Sequence, residues 1–230
     1  MTKIRWEPVV IDTIGWFSSI RAFVEEIETV LPSAERKVSD TLEELAKKLD
    51  WDASDYWLEK DEIELKFKHW IPRSLAYSTI TLIHAGVETQ LIATANRLQE
   101  IHNYALKVND LRGDSVDRAK TYITKVAGVA VGSDIGWPIL QDLSKLRNII
   151  VHRRGRQGSD HKHQQAVRRL TQRYSSEISL SDSDDKPDAE VRVSLSLCKR
   201  FIDEAERFFE GLFEALNWPN RVVIEQQSSM

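Results

Sequence analysis

The segment LCKRFIDEAERFFEGLFEAL, residues 197–216, restricts the possible folds more than any other feature of the chain. Leu197, Phe201, Ile202, Ala205, Phe208, Phe209, Leu212 and Leu216 recur at three- and four-residue intervals. That is the period of a helix; a half-buried strand alternates every second residue. A stripe this long and aromatic has to be covered by other elements. The same period returns in DTIGWFSSIRAFVEEIETVL (12–31) through Ile14, Phe17, Ile20, Phe23, Val24 and Ile27. It returns from about Ser74 to Ile101, with Leu75, Ile80, Ile83, Val87, Leu91 and Leu98 inward, and a further helix is expected over about 115–130.

Punctuation residues divide these helices. Pro32 is expected to end the first, and Ser39 or Asp40 to cap a second over TLEELAKKL. The stretch WDASDYWLEKDEIELKFKHW predicts a loop and a short helix that packs its tryptophans on the core. Pro138 suits the first turn of a helix that stops near Gly155, and residues 156–173 read as a basic connector. EISL and EVRVSL alternate as two short strands around the polar turn SDSDDKPD. The expected fold is mainly all-α, with a small β-hairpin before the last helix. Residues 1–70 form a helical extension packed on the core, 71–217 the main helical domain, and 218–230 a loosely held tail.

Charge narrows the function. The 230-residue chain has a formal net charge of −4, which announces no polyanion binder. Between Leu143 and Arg173, however, nine Lys or Arg face a single acid, Asp160, whereas Asp40–Glu64 holds ten acids and three lysines. A basic segment in an acidic chain is where a polyanion would be held; a solvated charged loop is the plainer alternative. The lone cysteine, Cys198, allows neither an internal disulfide nor a cysteine-based zinc site. The start, MTKIRWEP, resembles no signal peptide, and no apolar run approaches the roughly 20 residues needed to span a bilayer. A cytoplasmic protein that does not act at a membrane is expected.

Within the basic segment, LSKLRNIIVHRRGR (143–156) concentrates the chemistry. At about 100° per residue, Ile139, Leu140, Leu143, Leu146, Ile150 and Val151 fall on one arc of the helix, and Arg147 falls inside it. Gln141, Ser144, Asn148 and His152 lie opposite, the last two one turn apart. A guanidinium on an apolar arc must be paired or face a cavity. Histidine titrates near neutrality and can serve as acid or base. Arginine offers a permanently charged fork matched to phosphate, and Asn148 could orient the imidazole or a phosphate.

Arg147-Asn148-Ile149-Ile150-Val151-His152 resembles the R-x4-H signature of the HEPN superfamily, whose members often carry Asn, Asp or His directly after the arginine. Two other stretches share the bare spacing, Arg97–His102 and Arg156–His161. Leu98 follows the first arginine, and Leu98 and Ile101 are needed there for packing; the second lies in a glycine-containing connector. The resemblance covers residues 71–217. It implies metal-independent endoribonuclease activity on single-stranded RNA, with Arg147, Asn148 and His152 as catalytic residues and no cofactor. It also implies a homodimer, in which two copies of the motif share one groove, and a role as a toxin or antiphage-defence effector.

Arg153, Arg154, Arg156, Lys162, Arg168 and Arg169, with Arg173, would then hold the RNA backbone. Few aromatics interleave them, so phosphate positioning is favoured over base stacking. An antitoxin or other regulatory protein is a possible partner. In HEPN toxins controlled by adenylylation a tyrosine stands two positions after the histidine; Arg154 stands there in this chain. The alternative reading is a catalytically silent HEPN-type module that binds a nucleotide, RNA or a protein partner.

Other candidates are weaker. His84 and Glu88, one turn apart, read either as a satisfied pair or as support for Arg147. Asp160, His161 and His163 read as surface more readily than as metal ligands. The turn SDSDDKPD lacks the glycine and terminal Glu of a calcium loop. Gly128, Gly132 and Gly136 match no nucleotide-binding fingerprint.

Overall fold

The structure, a computed structural model, describes residues 7–130, 136–181, 186 and 188–218. It is mainly α-helical, with one two-stranded antiparallel hairpin before the last helix. The helices are α1 (Pro8–Leu49), α2 (Ala53–Leu65), α3 (Ile71–His102), α4 (Ser115–Thr121), α5 (Trp137–Arg153), α6 (His161–Arg173) and α7 (Leu195–Ala215). Strands β1 (Ile178–Leu180) and β2 (Val191–Val193) pair in the register Ile178↔Val193, Ser179↔Arg192, Leu180↔Val191. Among the described residues no helix is long and apolar enough to cross a membrane.

Four expectations are corrected. The first helix does not end at Pro32: α1 runs unbroken through it, so Ser39 and Asp40 are interior rather than caps. Proline removes one amide and crowds the preceding turn, but the stripe of Val10, Phe17, Ile20 and Val24 resumes at Leu42, and buried contact on both sides outweighs the local cost. Ser33 Oγ also donates to the Val30 carbonyl at 2.7 Å. In the acidic aromatic stretch, α2 begins at an Asp52 cap that accepts from the Asp55 amide, but none of its residues is buried. Trp57 is 55% exposed beneath Lys60, and Phe67 is the residue that enters the core.

The helix after Asp114 is α-helical only to Thr121 and continues as a π-helical segment, Tyr122–Val126. The supposed basic connector is largely α6, capped by Asp160, which accepts from the Lys162 amide at 2.7 Å. Gly132 and most of the acidic turn, 182–185 and 187, lie outside the described residues, as does the tail 219–230. Trp218 stacks on Phe213.

The chain divides into two compact units, and residues 1–70 contribute to both. The first comprises Met1–Ser19, Leu82–Ser144 and Arg200–Met230. Its centre is aromatic: Phe17, Trp137, Phe208, Phe209 and Phe213 meet at centroid distances of 4.6–5.8 Å. Thr13 Oγ1 bonds the buried Gln90 at 3.1 Å, and Arg97 pairs with Glu7 at 2.9 Å.

The second unit comprises Ile20–Thr81 and Lys145–Lys199. In it the hairpin gains a third edge. The Val191 amide donates to the Gly155 carbonyl at 2.8 Å and the Gln157 amide to the Ala189 carbonyl at 2.9 Å, which pairs Arg156 with Glu190. Tyr77 on α3 fastens this small sheet by donating its hydroxyl to the Val191 carbonyl at 2.6 Å. Gly155, at φ +74°, passes directly over that hydroxyl: a Cβ there would lie 2.0 Å from Tyr77 Oη. Cys198 is buried behind α3, its thiol 3.6 Å from the Ala76 carbonyl, and burial pushes its pKa up to about 12.

These two facts predict one experiment. Gly155→Ala adds about 1–2 kcal/mol of left-handed backbone cost and about 1–3 kcal/mol of overlap. Because the thiolate is the reactive form, Cys198 should resist a disulfide reagent at pH 8 in the wild type and label only on opening. In Gly155→Ala it should label much faster. Equal labelling rates would show that the Tyr77–Gly155 contact does not hold this part of the structure.

Candidate active site

The sequence places Arg147 on the apolar arc of α5, and there its neighbours are buried: Ile139, Leu140, Leu143, Leu146 and Ile150 are all core residues. Val151, assigned to the same arc, is 44% exposed, because the helix emerges from the core in its last turn. Here Arg147 leaves the arc. Its Nη1 donates to Asn148 Oδ1 at 3.0 Å and lies 3.4 Å from His152 Nε2. The three residues expected to act together are thus brought together within one chain, at an exposed helix end.

The donor must be the guanidinium, which has no acceptor atom. In this contact His152 Nε2 is therefore the acceptor. Asn148 uses its oxygen on Arg147 and keeps both amide hydrogens uncommitted among the described residues. Arg147 Nε is buried and has no acceptor among them, which costs on the order of 1–3 kcal/mol. The stem of this arginine is fixed while its outer nitrogens reach the surface.

The end of α5 is shaped by two left-handed residues, Arg154 (φ +54°) and Gly155. Arg154, an exposed side chain in a conformation that arginine rarely adopts, turns the chain sharply away from His152. Arg153 turns to α6 instead, its Nη2 2.9 Å from His163 Nδ1. Gly158, at φ +80°, makes room, since a Cβ there would lie 2.0 Å from Arg153 Nη1. Asp160 Oδ2 lies 3.4 Å from the same imidazole nitrogen, and the Lys162 amide together with His163 holds its carboxyl below the usual carboxylate range.

The sequence therefore missed His163 as the partner of Arg153, because seven residues of turn and cap separate α5 from α6. Among the described residues no three His, Cys, Asp or Glu side chains gather to hold a metal ion.

The remaining expected residues spread over neighbouring surfaces. Lys162, Arg168, Arg169 and Arg173 are exposed on α6, whose inner side is Val167 and Leu170. Arg156 is exposed on the added sheet edge. Glu88 is on α3 with His84 Nδ1 3.8 Å away, and His84 Nε2 lies 3.1 Å from Ser144 Oγ.

The other two R-x4-H stretches differ in kind. Arg97 is engaged by Glu7 and Glu100, and of the two residues expected to pack beside it Leu98 is buried but Ile101 is 45% exposed. Arg156 and His161 occupy a β-bridge and the first position of α6, so that stretch has a defined geometry despite its glycine.

No family model, no curated protein and no solved structure matches the chain. Its chemistry has to be argued from the residues themselves.

Arg154→Gly supplies a direct test of strain at this site. Removing a left-handed non-glycine residue whose side chain has no partner among the described residues should raise Tm by about 2–4 °C, the shift expected for about 1 kcal/mol in a chain of this size. A lower Tm by circular dichroism would mean that the arginine side chain holds the turn.

Proposed function

We propose that the chain is a HEPN-type endoribonuclease that cuts single-stranded RNA without a metal ion, from a composite site shared by two copies. The observation that carries this reading is the Arg147 guanidinium set between Asn148 Oδ1 and His152 Nε2 at the exposed end of α5. Phosphodiester cleavage through the 2′-hydroxyl needs a base, an acid and fixed positive charge at the phosphorus. Once Arg147 turns its outer nitrogens to the phosphate, the His152 Nε2 lone pair that it engages in this structure is freed and takes the proton from O2′. O2′ then bonds to phosphorus, and the P–O5′ bond breaks. The departing O5′ takes a proton from a second imidazole, which enters the step as imidazolium and leaves it neutral while the first becomes imidazolium. The products are a 2′,3′-cyclic phosphate and a 5′-hydroxyl, and the number of protons is unchanged.

Arg147 offers its outer nitrogens to the non-bridging oxygens, where negative charge grows. The Asn148 amide adds two neutral donors. One His152 cannot be base and acid in the same turnover, so the second copy supplies its own; a two-fold axis beside the end of α5 brings both motifs into one groove. The cellular setting that the resemblance suggests is an intracellular toxin or antiphage effector, held in check by a partner protein.

Two measurements test this. A labelled single-stranded RNA incubated in EDTA should be cut by the wild type to 2′,3′-cyclic phosphate ends. His152→Ala should lose about 10²- to 10⁴-fold in rate, and Arg147→Ala about 10²- to 10³-fold, with both variants folded. An inert wild type, or His152→Ala cutting at the wild-type rate, would leave the silent binding module as the better account. Light scattering at micromolar concentration should give a dimer; a strict monomer removes the composite site.

A further inference from the structure

The small sheet of the second unit has two unlike sides. Alternation puts Gly155, Gln157, Val191, Val193 and Ile178 on the inner side, all buried. The outer side carries Arg156, Glu190, Arg192 and Ser179. The ladder bonds at Val191–Gly155 and Gln157–Ala189 bracket Arg156 and Glu190, so these two form a non-hydrogen-bonded pair, the kind whose side chains stand closer. Arg192, two residues beyond Glu190, is then the diagonal neighbour of Arg156 on the same side, about 7–8 Å away.

An arginine and a histidine also reach this side from the helical segment before and within α3. Arg73 Nη1 lies 2.5 Å from Glu190 Oε1, and His69 Nε2 lies 3.4 Å from Glu190 Oε2. Among the described residues Glu190 is the carboxylate that meets Arg73 and His69, and its side chain is only 17% exposed. Arg73 and His69 occupy it. Arg156 and Arg192 are exposed, and the guanidinium of neither has a hydrogen bond or ion pair among the described residues.

A fold has no need of two unpaired arginines on adjacent strands; like charges there oppose pairing. Planar guanidinium forks are suited to phosphate oxygens, and the exposed Ser179 hydroxyl between the strands is a further neutral donor. Among the described residues of the sheet no aromatic side chain stands on this side, which favours phosphate holding over base stacking.

We infer that Arg156 and Arg192, with Arg73 held in place by Glu190, form a phosphate-binding subsite that grips the backbone of a single-stranded RNA next to the bond being cut. The inference rests on the ribonuclease reading for the identity of the strand. Its location fits: Arg156 follows His152 by four residues, at most about 14 Å of extended chain. Glu190 acts as a positioning residue. It holds Arg73 over the Tyr77 ring, 5.3 Å from the centroid, and its charge is covered by Arg73 and His69.

The test is binding without turnover. A fluorescein-labelled strand with 2′-O-methyl groups at every ribose has no 2′-hydroxyl to attack with, so anisotropy reports affinity alone. Full-length Arg156→Gln/Arg192→Gln should bind several-fold more weakly, and its log Kd against log salt slope should fall by about 0.7 for each arginine removed. Lys47→Gln/Lys48→Gln, which removes the same charge at the end of α1, should bind like the wild type. Arg192→Gln alone should show half the loss in slope, and it keeps the proposal testable if the double variant unfolds, with Cys198 shielding as the check of folding.

Unchanged affinity and slope in Arg192→Gln would overturn the inference, as would an equal loss in the lysine variant. Cleavage of an all-ribose strand, measured in parallel, separates the two readings. RNA cutting that depends on His152, with Arg192→Gln binding normally, sinks the subsite alone. Binding that depends on Arg192 in a protein that never cuts sinks the ribonuclease reading and leaves the phosphate-holding surface standing.

Discussion

The Tyr77 hydroxyl donates to the Val191 carbonyl at 2.6 Å, and much of the second unit takes its arrangement from this bond. Tyr77 is near the start of α3, one turn after Arg73, so the bond ties that helix to the middle strand of the small sheet. The Gly155 backbone passes over the same hydroxyl and then joins the sheet as its third edge. The end of α5 is thereby held at a fixed distance from the hairpin. The direction in which α5 ends decides where Asn148 and His152 emerge, and the sheet edge decides which side Arg156 occupies. A hydroxyl with half-buried surroundings does this without a charge: burial raises the Tyr77 pKa, and the nearby Arg73 works against that rise.

Electrostatic balance explains how an acidic chain can carry these cations at one place. Arg73 and His69 are matched by Glu190, and Arg153 and His163 lie beside Asp160. The Asp160 carboxylate also caps α6, and the main-chain bridge to Arg156 places Glu190. Each therefore sits where the fold requires it, with an imidazole nitrogen 3.4 Å from its oxygen. Repulsion among the basic residues between 147 and 192 is reduced locally, while Arg154, Arg156, Arg169 and Arg192 stay exposed. Surface pairs of this kind contribute little to stability, about 0–1 kcal/mol each. Their effect is on where charge points.

Legibility in the sequence followed the range of the interaction. Periodicity located α3, α5 and α7 within a few residues, because each buries a stripe that its own sequence repeats, and the hairpin was legible from its alternation. Arg147, Asn148 and His152 could be grouped because one helical turn and a long side chain suffice to join them. α6 reads as a connector in sequence since only Val167 and Leu170 are buried among its thirteen residues, ten of which are polar or basic. The sequence predicts a break at Pro32 because the local cost is visible in sequence and the packing on either side of it in α1 is not. The Glu190 cluster draws on positions 69, 73, 156, 190 and 192; only the pairing of residues 155–157 with the hairpin assembles it, and no local pattern announces that pairing.

The costs in this fold are unevenly placed. Among the described residues, five buried side-chain atoms lack a hydrogen-bond partner, and three of them belong to Arg147 and Gln157. The left-handed Arg154 lies between these two residues. Unsatisfied polar groups cost on the order of 1–3 kcal/mol each, and a left-handed non-glycine residue a similar amount. Eleven consecutive residues thus concentrate penalties that the aromatic centre of the first unit avoids, where Phe17, Phe208, Phe209 and Phe213 pack with no polar atom to satisfy. A sequence free to optimise stability alone would put leucine at 147 and glycine at 154. That it holds arginine at both, beside an exposed imidazole and at the head of a basic surface, is the physical argument for chemistry at the end of α5.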